Sequence, residues 1–366
     1  MQPRIVFRTH YQVDEPAYME FLVKLCTSPV QSAYPEIVAQ RLAREISSRG
    51  RDFNTAAGRY AVDLAKALGL VTANLTWTER GQLTDLIAEI PDGTFEEQLS
   101  LTVAEKLLHF RVYLEADGGA LRHLARQFVE SGRLPIPGRD WNWLAKDMFT
   151  TVYSEYLIIT NNTADRVALR REIERIKEKG YEGKTGPHKL FAHLQVLCRL
   201  GLIEHPDSGG SRAYQVPASP KGTRTGIQLL VEELPDAFTL ERVIKEHQTL
   251  ELAARVLQLP CIPYGSEPTR ADRERALALF ARYYSVLTGK GVPLCPISTL
   301  TEAVQIDLLT KCAQLLRHTE AMELLHQAQK SFPKDVRFHV DRRGCPAFLK
   351  LSDQVLHRFA RAGVAQ

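Results

Sequence analysis

The most constraining feature of this chain is the order in which its apolar periodicities occur. Long stretches of helical spacing are followed at once by short apolar pieces, never in the strand–helix–strand rhythm that builds a parallel sheet. PEIVAQRLAREISS (35–48), AAGRYAVDLAKALGL (56–70), RVALRREIERIKEKG (166–180) and TEAVQIDLLTKCAQLL (301–316) all carry the helical period. The expected fold is therefore mainly α with small β-hairpins. Pro/Gly-rich joints at 131–140, 216–226, 259–269 and 288–296 divide it.

The order is clearest in LFAHLQVLCRLGLIEHPDSGGSRAYQV (190–216). Thr185 is placed to cap a helix, and Pro187 is tolerated in its first turn. Leu190, Phe191, Leu194, Leu197 and Leu200 form one apolar stripe, with His188, Lys189, Ala192, Gln195 and Arg199 on the opposite side. Gly201 ends the helix in a left-handed conformation. Leu202–Glu204 and Ala213–Val216 then read as paired strands around a glycine-serine turn that carries Arg212.

The same order recurs twice. Near the start, the helix at 56–70 buries Tyr60, Leu64, Ala67 and Leu68, and turns Arg59, Val62, Asp63 and Lys66 outward. Val71, Leu75 and Trp77 supply strand-like pieces, and TERGQLTDLIAEI begins the next helix. Near the end, TEAMELLHQAQKSF buries Ala321, Leu325, Ala328 and Phe332, and exposes Glu323, His326, Gln327 and Lys330. VRFHV, DRRGCP and AFLKL follow as a hairpin with a basic tip.

LxxLGLI…GGSRAYQV resembles the recognition helix and wing of winged-helix proteins, and LAKALGLVTANLTWTERGQ is similar to the same region of many bacterial winged-helix domains. The resemblance covers about half the chain, in three patches. It implies an N-terminal winged-helix-like module at 1–95, a helical spacer at 96–150, a central module at 151–220, a second spacer at 221–290 and a C-terminal module at 291–366. Such modules commonly bind double-stranded DNA, the helix reading base edges and the wing contacting phosphate. Carried onto this sequence, the resemblance gives Thr185, His188, Lys189, Gln195, Arg199 and Arg212 in the central module. In the C-terminal module it gives Lys334, Arg337, Arg342, Arg343 and Lys350, and in the N-terminal one Arg59 and Lys66. The implied function is a non-enzymatic DNA-binding protein, either a regulator or the DNA-engaging subunit of a bacterial DNA-processing or antiviral-defence assembly. The alternative is a scaffold that uses the same folds to hold protein partners or to self-associate.

Charge agrees with a local rather than a global nucleic-acid surface. Lys+Arg against Asp+Glu run 17 to 19 over residues 1–150, 15 to 14 over 151–260 and 15 to 10 over 261–366. The excess lies at the C-terminal end. The basic run at 163–189 reads as a solvated helix face with internal pairing. Trp141 and Trp143 read as core anchors. Six scattered cysteines without a C-x-x-C pair point to reduced thiols and a cytoplasmic setting. No apolar run has membrane-spanning length, so no membrane partner is expected.

Catalytic motifs are missing at the required spacing. EGKTG (182–186) has Glu178 where a phosphate loop needs glycine. His188, His193 and Cys198 are each five apart, so on a helix they diverge and cannot share a metal. GGSRA lacks the closing glycine of a nucleophile elbow. Neither enzyme activity nor a cofactor is expected.

Overall fold

The computed structural model describes residues 15–26, 34–48, 53–89, 97, 99–180, 185–205, 213–220, 223–265, 268–292 and 294–362, with the backbone alone at 185–189 and 362. The fold is mainly helical, with a few very short strands. Its axis is α5 (Val103–Ser131), on which nearly every group of helices packs. Thr102 caps α5: its hydroxyl accepts from the Glu105 amide, and the Glu105 carboxylate accepts from the Thr102 amide. The helix bends at Asp117, whose φ/ψ of −146°/33° are non-helical. Two glycines follow because neighbours come close: a Cβ on Gly119 would lie 2.9 Å from Val152 and one on Gly118 3.0 Å from Leu240. The segment read as a spacer is thus largely buried.

The N-terminal group comprises α1 (Pro16–Leu25), α2 (Pro35–Ser47), α3 (Thr55–Ala67) and α4 (Glu79–Ile87). A single antiparallel bridge, Val71 to Trp77, stands between α3 and α4. The Trp77 indole N–H donates to the Val23 carbonyl at 2.9 Å and ties that turn to α1. The inward face of α3 is rotated from the sequence expectation. Ala57, Ala61, Val62, Leu64, Ala65 and Leu68 are buried, whereas Tyr60 and Ala67 are exposed. Small residues let α3 lie close on α2, so the face richest in alanine, not the one holding the aromatic ring, turns inward.

In the centre lie β1 (Arg133–Leu134), α6 (Trp141–Ile159), α7 (Thr163–Lys179), α8 (Thr185–Arg199) and β2 (Tyr214–Gln215). Gly201 has φ of +75° and closes the α8 region as expected. Past it, Glu204 bridges Gln215, and β2 pairs antiparallel with β1, which comes from the joint at 131–140. The α8 stripe Leu190–Leu200 is buried, but so is Ala192 on the side expected to face out, and so is the neighbouring His193. His193 is enclosed because its ring bonds the buried Asp117 carboxylate at the bend of α5. By contrast α7 shows a solvated face, with Arg175 paired to Glu172. Trp141 packs edge-on against Phe191 and Tyr214, and Arg139 lies over Trp143.

Three short helices, α9 (Gly226–Glu233), α10 (Ala237–Lys245) and α11 (Thr249–Val256), pack on α5. β3 (Ile262–Pro263) forms a two-residue parallel ladder with β5 (Gln314–Leu315). The C-terminal group then runs α12 (Arg270–Gly289), β4 (Cys295–Pro296), α13 (Ile297–Cys312), β5, α14 (His318–Ser331), β6 (Val336–Val340), β7 (Pro346–Leu351) and α15 (Asp353–Ala362). α12 packs on α13 and α15, so part of the second expected spacer belongs to this group. Its three-stranded sheet has the order β4–β7–β6, all neighbours antiparallel. One hydrophobic cluster runs from Ala17 to Phe359. No described helix is long and apolar enough to cross a membrane.

Candidate nucleic-acid interface

The sequence VRFHV-DRRGC-PAFLKL builds its hairpin by alternation. Val336, Leu349 and Leu351 are buried against the C-terminal core, while Arg337, His339 and Lys350 point outward. Register places Val336 opposite Leu351 and Arg337 opposite Lys350. The outer face therefore sets two cations side by side, an arrangement that strand pairing alone disfavours.

The turn is held by its own aspartate. The Asp341 carboxylate accepts from the amides of Arg343 (2.8 Å) and Cys345 (2.9 Å), and Gly344 takes φ of +79° to let the chain reverse. These bonds direct the carboxylate at the backbone, not at the neighbouring guanidinium groups. Arg342 and Arg343 stand exposed at the tip. Lys334 is exposed at the start of the hairpin, where its carbonyl accepts from Arg337 Nε at 3.1 Å. The other nearby acid, Asp335, accepts from the Ser352 hydroxyl at 2.6 Å.

Helix α14 lies beside this hairpin. Ala321, Leu324, Leu325 and Ala328 are buried; Glu323, His326, Gln327 and Lys330 form an exposed stripe at i, i+3, i+4 and i+7. The His326 ring stands 4.9 Å from the Phe338 ring, which joins the stripe to the hairpin. One continuous surface thus carries Lys330, Lys334, Arg337, Arg342, Arg343 and Lys350; of its acids, Asp335 and Asp341 are engaged in bonds of their own, and Glu323 is exposed on α14. Such a surface favours a polyanion, and the Gln327 amide is chemically able to bond a base edge.

No family model matches this chain, and neither the curated proteins nor the solved structures contain a match.

The remaining sequence-derived residues do not join that surface. Arg199 donates to both oxygens of Glu15, at 2.5 and 2.6 Å, and Gln195 donates to Glu15 at 3.2 Å. These two side chains are half-buried and turned onto Glu15 at the N-terminal end of α1. Thr185, His188 and Lys189 lie on the backbone of α8, but their side chains fall outside the described residues, as does Arg212 entirely. Arg59 is exposed and Lys66 half-buried on α3. Among the described residues, no group of three or more His, Cys, Asp and Glu gathers as a metal site would need. The cysteines are free: Cys26 and Cys295 are buried, Cys198, Cys261 and Cys312 partly so, and Cys345 lies exposed beside the basic tip.

Two features, one in the site and one outside it, escaped the sequence. β4 is only two residues long and sits within the joint read as a break, though the apolar spacing of Val292, Leu294 and Pro296 hinted at an extended piece. Glu15 as the partner of Arg199 had no local signal, since 184 positions separate them.

Proposed function

We propose that this protein is a non-enzymatic binder of double-stranded DNA that engages it through its C-terminal unit. The reading rests on one observation: the chain runs α12–β4–α13–β5–α14–β6–β7, where β5 pairs outside this sheet with β3, the sheet itself is ordered β4–β7–β6, and the hairpin carries a basic outer face. That succession supports reading the unit as a winged helix, with α14 as the helix offered to the major groove and β6–β7 as the wing on phosphate or the minor groove. The central and N-terminal groups have less complete strands, and we read them as winged-helix-derived modules whose helices serve internal packing. A regulator, or the DNA-engaging subunit of a bacterial DNA-processing or defence assembly, fits a chain with one basic face on a large neutral body.

A second reading is favoured by the Glu15–Arg199 contact. There the exposed polar face expected of α8 is covered by another part of the same chain. A scaffold using such folds to hold protein partners would show this too. A duplex-binding titration over salt separates the two. A DNA binder loses affinity steeply with salt, with a log–log slope of about −0.9 per phosphate engaged. The double substitution Arg342→Ala/Arg343→Ala flattens that slope by about one to two. Undetectable duplex binding at low salt refutes DNA engagement and leaves the scaffold.

A further inference from the structure

Helices α12 and α15 pack side by side and leave between them a groove of about 510 Å³. Its apolar floor is Ala278, Leu279 and Ala281 from α12 with Leu356 from α15, and the exposed Ala360 of α15 lines its edge. Its rim carries Arg275, Arg282 and His357, against one acid, Asp353. We propose that this groove receives an amphipathic helix of a partner protein, one whose apolar stripe is flanked by acidic side chains. The proposal goes beyond DNA binding and uses none of the residues assigned to it.

The lining has helical spacing on both walls: 275, 278, 279 and 282 on α12, and 353, 356, 357 and 360 on α15. From Arg275 to Ser285 the groove follows ten residues of helix, about 15 Å at 1.5 Å per residue. That length suits three turns of a third helix, with anchors at i, i+3 or i+4, and i+7. The small floor residues allow close approach, and the leucines supply the apolar contact.

Charge selects the occupant. The Arg282 guanidinium is 60% exposed and lies 3.6 Å from Asp307, but that carboxylate already accepts from the Tyr283 hydroxyl at 2.9 Å and pairs with Lys311 at 2.6 Å. Arg282 is therefore a weakly compensated cation at the edge of an apolar trough. A second copy docking through the same rim would oppose cation to cation, and the apolar floor offers nothing to a phosphate backbone. A helix bearing glutamates beside its leucines satisfies floor and rim together.

The test uses the full chain and two synthetic helical peptides of about 16 residues, with identical leucine stripes flanked either by glutamates or by lysines. Fluorescence anisotropy should show saturable binding of the glutamate peptide, with a Kd on the order of 10 µM, and at least roughly tenfold weaker binding of the lysine peptide. Arg275→Glu/Arg282→Glu, checked for an unchanged circular dichroism spectrum, should reverse that preference. Ala278→Trp, which fills the floor, should weaken the glutamate peptide by about tenfold. Failure of the glutamate peptide to bind, equal binding of both peptides, or a preference unaltered by the rim substitutions overturns the proposal.

Discussion

Arg337 and Lys350 stand directly opposite each other across the β6–β7 hairpin, both exposed. Like charges in that position cost roughly 0.2–1 kcal/mol relative to a neutral pair. A hairpin that carries this cost on the face it shares with Arg342 and Arg343 is better suited to an anionic ligand than to its own stability. Lys350→Glu should therefore separate the two properties. The substitution converts the pair to an attractive one and raises stability by up to about 1 kcal/mol, seen as a higher urea midpoint. It should also weaken duplex binding and flatten its salt slope by about one. A variant that gains stability with unchanged duplex affinity would remove this face from the interface.

Glu15 and Arg199 give the opposite case. The carboxylate is 2% exposed and the guanidinium side chain 32%, so the pair is shielded at one end only. Glu15→Ala strands Arg199 and Gln195 without their acceptor and should cost about 1–3 kcal/mol, below the loss for a fully buried pair. Arg199→Ala should cost a similar amount and leave the salt slope of duplex binding unchanged. A flatter slope in Arg199→Ala would restore α8 as a DNA contact.

These two pairs show what the sequence could and could not display. The hairpin at 336–351 was legible because V-R-F-H-V alternates and a D-R-R-G turn follows; every determinant is local. The face of α8 expected to point outward is covered at Gln195 and Arg199 by Glu15, which lies far away in sequence. On α3 the aromatic ring of Tyr60 weighed more in the sequence than it does in the fold, where alanines make the close helix contact. Periodicity identifies helices well, but it cannot tell a surface-facing polar stripe from one that meets a buried carboxylate. The hub role of α5 was hidden for the same reason: Glu105, His109, Asp117 and Arg122 interrupt its apolar pattern, yet all are buried with partners.

A charge network around Glu115 joins α4, α5, α11 and α13. Its carboxylate pairs with Arg80 and Arg111, accepts from the Thr249 hydroxyl at 2.7 Å, and Arg111 reaches on to Glu302. Burial pushes the Glu115 carboxyl up, but the two guanidinium groups and the hydrogen bonds outweigh it and hold the group below its ordinary value of 4.5. A depressed carboxylate stabilises the fold fully above its unfolded value, and that contribution disappears as pH falls through the folded one. Glu115→Gln should cost about 2–4 kcal/mol near neutral pH by leaving Arg111 and Arg80 short of a counter-charge. The difference from the parent protein should shrink as pH drops below 4.5. Chemical denaturation at several acidic pH values would check this, and a difference independent of pH would mean that the network is not electrostatic in origin.

His318, stacked on His247 beside the α10–α11 corner, also weakens the fold in acid, but over a different range. The rings of His247 and His318 stack 5.3 Å apart at 24°, in a cleft that also holds Glu246, Glu251, Arg255 and Arg317, with Glu302 close by on α13. His247 takes φ of +55°, a left-handed conformation that a non-glycine residue adopts only when its surroundings require it. Burial, then the neighbouring His247, push the His318 imidazole below its ordinary value of 6.5, and Glu302 opposes them more weakly. The folded protein therefore prefers neutral His318, while the unfolded chain takes up the proton first as pH falls through 6.5. His318 contributes its full stability above that value and loses it on acidification toward the lower folded one. The urea midpoint should fall between about pH 7.5 and 5.5, and His318→Gln, which keeps a polar side chain but cannot titrate, should flatten that decline. Parallel declines in the parent protein and His318→Gln would mean that His318 does not sense protons and that other groups set the acid limit.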